Sequence, residues 1–351
     1  MPPKPTQNST YITHRGRWQS HSTTQSWRSH QTSTLNVRFE HETQRQVALC
    51  LRSFNQTGWL SFARSGVMQM TVITNTLPSD GKALEPHDHM DSLGRCMAES
   101  FFFMTNLRSL RLELGWFMES QTQNFSEQLS SRKFWLPNLR SLIVNPPSIL
   151  GDILKHCDNE VLKTLDLKGC LRSADFEEAK KIKNLDRLHL TFLKPKYRSS
   201  TWAWACRRTP LLKTLREPQF SGLKWLTVHW KQHYENTSDL SALLASKTQI
   251  MRDVKTVAQA LPHLERLVII FQTPCPVKWA VCHSENPDIT GSLSREFVRN
   301  VTNLKEFWIV SCCYVRKAYS GPDGEVVSSL ERIENKDPDD PVFPWSRHSE
   351  R

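Results

Sequence analysis

VLKTLDLKGC (161–170) and NLDRLHLTF (184–192) are two copies of one pattern, Leu-x-x-Leu-x-Leu, with first leucines at Leu162 and Leu185. Sliding the chain against itself extends the series. NLRSLRLEL (106–114), NLRSLIV (138–144), GLKWLTVHW (222–230), HLERLVIIF (263–271) and NLKEFWIVSC (303–312) fit it with Phe, Val or Ile substituting. Seven matches lie beyond chance, and recurrence on this scale marks a repeat architecture. Two copies continue to cysteine at the ninth position, Cys170 and Cys312, where such repeats carry Asn or Cys.

Alternate residues of a strand share a face. Leu165 and Leu167, or Leu188 and Leu190, therefore point together into a core, while Asp166 and His189 point away. Helix-like segments precede most of these strands: PSILGDILKHC (147–157), ADFEEAKKI (174–182), IMRDVKTVAQAL (250–261) and LSREFVRNV (293–301). Val254, Val257, Ala258 and Leu261 recur at helical spacing. Helix and strand alternating in a fixed order give parallel strands joined by right-handed crossovers. The expected fold is α/β, an irregular leucine-rich repeat solenoid with strands on the concave face and helices on the convex face. The first leucines lie 32, 23, 23, 38, 41 and 40 residues apart, so the longer repeats must carry loops or longer helices. VMQMTVIT (67–74) reads as an earlier strand of the same sheet. SGPDG (320–324) reads as a turn and EVVSSLERI after it as a short helix.

The chain has 351 residues, and none of its apolar runs approaches the roughly 20 residues of a membrane-spanning helix. Nine scattered cysteines without a Cys-x-x-Cys pair read as reduced, mostly buried thiols, and no signal-peptide pattern opens the chain. A cytoplasmic or nuclear location is expected. The formal charge of +11 is uneven: residues 1–64 carry eight Lys/Arg against two acids, the remainder 38 against 33. Nucleic acid is therefore not an expected partner, and neither is a membrane. Four regions are expected: a disordered basic Ser/Thr-rich arm (1–46), a helix (47–64), the repeats (65–318) and a C-terminal extension and tail (319–351).

Few constellations carry chemistry. His87, Asp88, His89 and Asp91 are metal-ligand types in a Pro-containing loop without a partner set, and a solvated loop is the preferred reading. CPVKWAVCH, with Cys275, Cys282 and His283, lacks the second half of a zinc module. Cys312 and Cys313 read as structural thiols, and TWAWACRR (201–208) as a helix packing Trp202 and Cys206 on the core. No phosphate loop, nucleophile elbow or zinc-protease motif occurs, so neither a catalytic residue nor a cofactor or metal is assigned.

The strand face turned away from the leucines changes character along the chain. Its first four strands present mainly polar residues. The last three present Trp225, Thr227 and His229; Arg266, Val268 and Ile270; and Glu306, Trp308 and Val310. Tryptophan with arginine is the composition of a binding hot spot. The expected partner-binding residues are Arg187, His189, Trp225, His229, Arg266 and Trp308, for a protein with an acidic or phosphorylated segment. The competing expectation is that the C-terminal tail covers this face, with Val326, Val327, Leu330, Phe343 and Trp345 as plugs.

VALCLRSFNQTGWLSFARSGVMQMTVIT (47–74) resembles the passage in fungal F-box and leucine-rich repeat proteins where the end of the F-box leads into the first strand. Leu49, Cys50, Arg52 and Phe54 stand where that family has a Leu-x-x-Val-Cys-Arg-x-Phe-like run, and LPNLRSLIV and LPHLERLVIIF are similar to its repeat openings. The resemblance covers residues 47–318 and makes 47–64 an F-box remnant. A Leu-Pro pair at the F-box start is missing, since none occurs before residue 77. The resemblance implies a non-enzymatic substrate receptor of a cullin-based ubiquitin ligase, with the ligase adaptor as a second partner. The alternatives are a scaffold with no ubiquitin link, or a biosynthetic-cluster protein with an unrecognised catalytic role.

Overall fold

The computed structural model describes residues 10–13, 35–41, 44–56, 67–74, 93–114, 119–193, 212–231, 240–272, 287–301, 303–310, 314–320 and 325–332. Strands and helices alternate along them, and the strands build open, mostly parallel sheet. The chain divides into two compact units, Met1–Leu162 and Lys163–Arg351. No helix among the described residues is long and apolar enough to cross a membrane.

The first unit pairs five strands in sequence order, all parallel: β1 (Thr10–Thr13), β2 (Leu35–His41), β3 (Val67–Thr74), β4 (Ser109–Glu113) and β5 (Ser141–Asn145). Helix α1 (Gln44–Gln56) joins β2 to β3. Between later strands lie α2 (Leu93–Phe103) and α3 (Glu119–Ser130), and α4 (Leu150–Leu154) follows β5. The register aligns Val37, Met70, Leu110 and Leu142 in one row and Phe39, Val72, Leu112 and Val144 in the next, all buried. Each such side chain contributes about 1.5–3 kcal/mol by leaving water. The helices cover this face. Phe54 of α1 meets Phe39 edge-on at 5.6 Å.

The second unit runs β6 (Thr164–Gly169), β7 (Arg187–Leu193), β8 (Trp225–Lys231), β9 (Arg266–Gln272) and β10 (Glu306–Val310) in parallel. A hairpin of β11 (Tyr314–Ser320) and β12 (Val326–Arg332) closes the series antiparallel. Leu165, Leu188, Leu226, Leu267 and Phe307 are register partners, as are Leu167, Leu190, Val228, Ile269 and Ile309, and all ten are buried. The expected leucine face is therefore present. The uneven spacing has a plain cause: the 23-residue step holds the seven-residue α5 (Ser173–Ala179), whereas the steps of 41 and 40 hold α6 (Leu240–Gln259, 20 residues) and α7 (Pro287–Asn300, 14 residues). Phe297 of α7 stacks on Phe307 at 4.4 Å.

The repeat opening has its own hydrogen-bond logic. The carbonyl of the residue after the first leucine accepts two N–H groups from the next repeat. Lys163 takes those of Asp186 and Arg187 at 2.9 and 3.0 Å, Asp186 those of Lys224 and Trp225, and Lys224 those of Glu265 and Arg266. Side chains at this position alternate in charge, pairing Lys163 with Asp186 at 3.8 Å, Lys224 with Asp186 at 3.4 Å and Lys305 with Glu265 at 3.3 Å. These pairs are exposed, so they favour register more than stability. The asparagine of the Asn-Leu opening ties repeats together: Asn303 Nδ2 donates to the Pro262 carbonyl at 2.7 Å, and Asn138 Nδ2 to that of Thr105 at 3.0 Å.

Four expectations need correction. Within the 1–46 arm, β1, β2 and the start of α1 are ordered elements; Asn36-Val37-Arg38-Phe39 alternates polar and apolar, and Val37 and Phe39 are buried. The rest of the arm lies outside the described residues. Second, the helix expected over 47–64 is described over Gln44–Gln56, where it buries Val47, Ala48 and Leu51 as a crossover between β2 and β3. Of the residues carrying the F-box resemblance, Leu49 is 52% exposed and Cys50 and Phe54 are only partly buried. Third, EVVSSLERI is strand, not helix, because β-branched Val326 and Val327 with Ser328 and Ser329 disfavour helix and β11 supplies a pairing edge. The sheet therefore continues past residue 318. Fourth, the cysteines expected to be mostly buried include an exposed one, Cys170.

Candidate functional face of the second unit

Side chains of β6–β10 that point away from the leucine core fall into three rows. The first holds Thr164, Arg187, Trp225, Arg266 and Glu306; the second Asp166, His189, Thr227, Val268 and Trp308; the third Lys168, Thr191, His229, Ile270 and Val310. β11 extends the rows with Tyr319, Lys317 and Val315. All six expected binding residues lie on this one face. Burial deepens from the first row, which is only partly buried, to the third, where Ile270 and Val310 are buried.

The first row is a chain of charge and aromatic contacts. Arg187 and Arg266, from the strands on either side, lay their guanidinium carbons 4.0 and 4.4 Å from the centre of the Trp225 ring. Arg266 Nε also meets Glu306 Oε2 at 2.9 Å. The other oxygen of Glu306 accepts from Trp308 Nε1 at 2.6 Å, and Lys317 Nζ sits 4.6 Å above the Trp308 ring. Burial pulls the Arg187 guanidinium below its ordinary pKa; Asp186 beside it pushes back up, and Arg266 adds to the lowering. Desolvated cation–π contacts are worth about 1–2 kcal/mol each.

His229 does not serve as expected. It is 2% exposed, and its register neighbours Thr191 and Ile270 are buried as well, so its ring is not presented at the surface. Trp308 is partly a packing residue, seated with Val315 on the cluster of Val268, Ile270 and Val310. The apolar cluster beneath Trp308 is thus built by the strands β9–β11 themselves, and the tail expected to cover the face lies mostly outside the described residues. Of its proposed plugs, Val326 and Val327 belong to β12 and Val327 is 44% exposed, whereas Phe343, Trp345 and the side chain of Leu330 lie outside the described residues.

His189 sits in a polar chain. Its Nδ1 is 3.3 Å from Asp166 Oδ2 and its Nε2 is 3.4 Å from the Thr191 hydroxyl, while the His189 and His229 rings lie 6.2 Å apart. Asp–His–hydroxyl is the order of a nucleophilic triad. Here Thr191 is 5% exposed and the His–hydroxyl distance is long for a hydrogen bond, so the chain acts as a buried polar brace.

In the first unit the corresponding face is polar, with Arg38–Glu40 and Arg111–Glu113 pairs at 2.6 and 2.7 Å. His87, Asp88, His89, Asp91, residues 201–208, Cys275, Cys282, His283, Cys312 and Cys313 all lie outside the described residues. Among the described residues no group of three His, Cys, Asp or Glu is placed to hold a metal ion. Reading the sequence missed Lys317. The alternation of Val315, Lys317 and Tyr319 against Arg316 and Ala318 was the available signal for β11.

No family model matches the chain, and a search of curated proteins returns no match.

Proposed function

We propose that this chain is a leucine-rich repeat protein without catalytic duty that holds another protein on the first row of the β7–β10 face. The observation that carries the reading is Trp225 between two guanidinium groups, with Trp308 two strands away on β10, all partly open to solvent. Tryptophan and arginine dominate binding hot spots because a flat ring and a flat cation bury large area with few rotors to freeze. The register of leucine rows and the inter-repeat asparagine bonds support the repeat assignment.

The captured protein is delivered to a cullin-based ubiquitin ligase in the reading the resemblance of residues 47–318 supports. A second reading, a scaffold with no ubiquitin link, is favoured by α1: it is built into the sheet as a crossover, and its buried residues serve β2 and β3. Capture of the purified ligase adaptor by the full chain separates the two. Adaptor binding by the full chain that is lost on Leu49→Asp, a change at an exposed residue of α1, supports delivery through the N-terminal region. Absence of adaptor binding by the full chain leaves the scaffold.

A further inference from the structure

The first row does not offer its two arginines equally. Arg266 is neutralised by Glu306 at 2.9 Å, and Asp186, the carboxylate next to Arg187, is shared by Lys163 and Lys224 at 3.8 and 3.4 Å. Among the described residues, Arg187 is left with an indole face 4.0 Å from its guanidinium carbon and no carboxylate or carbonyl accepting from its guanidinium N–H groups. A guanidinium has five donors in a rigid fork matched to carboxylate or phosphate, and here the ring holds that fork flat. Its register neighbour Thr164 is half-buried and adds a hydroxyl at the edge of the same row. Charge complementarity therefore calls for an anion at this spot.

We infer that Arg187, held flat on Trp225, reads a single anionic side chain of a bound peptide, a carboxylate or a phosphate monoester, while Arg266 positions the indole from its other side. This deepens the protein-binding proposal and rests on it. It also moves the anion-reading role from Arg266, where the sequence suggests it, to Arg187, because Glu306 occupies Arg266.

The test uses the full chain and three immobilised degenerate peptide libraries that differ only in a fixed central residue: phosphoserine, glutamate or serine. Wild type should retain the phosphoserine or the glutamate library at least about tenfold over the serine library, the size of one charge-assisted fork. Preference for phosphoserine alone identifies phosphate as the anion; equal preference for phosphoserine and glutamate identifies any carboxylate-like group. Arg187→Gln should abolish the preference and Arg187→Lys should weaken it. Arg266→Gln should lower retention of all libraries alike. Melting temperatures of the variants confirm that each is folded. Equal retention of the three libraries by wild type overturns the anion reading while leaving peptide binding in place. Retention of none above a blank surface overturns both, and a preference that survives Arg187→Gln assigns the anion to another residue.

Discussion

Truncating Leu188 to alanine puts the strand register to a quantitative test. Leu188 is fully buried between its register partners Leu165 and Leu226, whereas its chain neighbour Arg187 points to the opposite face. Leu188→Ala removes three carbons, about 0.8 kcal/mol each or about 2.4 kcal/mol in all. The cavity left among leucines that cannot collapse raises this to about 3–4 kcal/mol, inside the usual span for such truncations. Arg187→Ala loses only a partly buried cation–π contact, about 1–2 kcal/mol. In a unit spanning residues 163–351 the leucine variant should lower the melting midpoint by about 6–15 °C. Urea unfolding read by circular dichroism should show the midpoint shifted at unchanged m-value. Equal costs for the two neighbours, or less than about 1 kcal/mol for Leu188→Ala, would refute the alternation on which the fold rests.

Asn303 combines a positive φ of 67° with its bond to the Pro262 carbonyl, so Asn303→Gly should lose about 1 kcal/mol for the bond and Asn303→Ala more, through added backbone strain; denaturant midpoints rank the three. Burial pushes the Cys157 thiol up to about 12, and its Sγ donates to the Ile153 carbonyl. At pH 8 its thiolate fraction is about one in ten thousand, so iodoacetamide should label exposed Cys170 in the native protein and Cys157 only after unfolding or in strong alkali, as read by mass spectrometry. Trp308→Ala should cost about 1–2 kcal/mol without any partner, since the partly buried ring packs on Val268, Ile270 and Val310; a melting temperature equal to wild type would return Trp308 to a purely exposed role.

Legibility followed how locally each feature is encoded. The leucine rows could be read because a period-2 pattern fixes which face each side chain takes once the strand is recognised, and Leu165, Leu188 and Leu267 lie where that rule puts them. The helices over 174–182 and 250–261 carried a helical apolar period of their own. β2 was hidden because its three-residue apolar alternation sits beside a basic Ser/Thr-rich stretch that dominates the composition. β12 was hidden because its strand state comes from pairing with β11, which lies outside any local pattern. The candidate face was legible as a list of outward residues and illegible as a surface. Alternation says that His229 points away from the leucines. Only the structure shows that His229 is 2% exposed, and only the Glu306 carboxylate shows that Arg266 is engaged.

The most direct test of the central claim is quantitative capture, side by side, by the wild-type chain, by an Arg187→Glu and Arg266→Glu double variant, and by an Arg111→Ala control on the corresponding face of the first unit. If the first row of β7–β10 is the binding face, one protein captured near stoichiometrically by wild type and the control should be lost by the double variant, whose melting temperature stays within a few degrees of wild type. The same protein captured equally by all three chains would place the binding surface elsewhere and contradict the account.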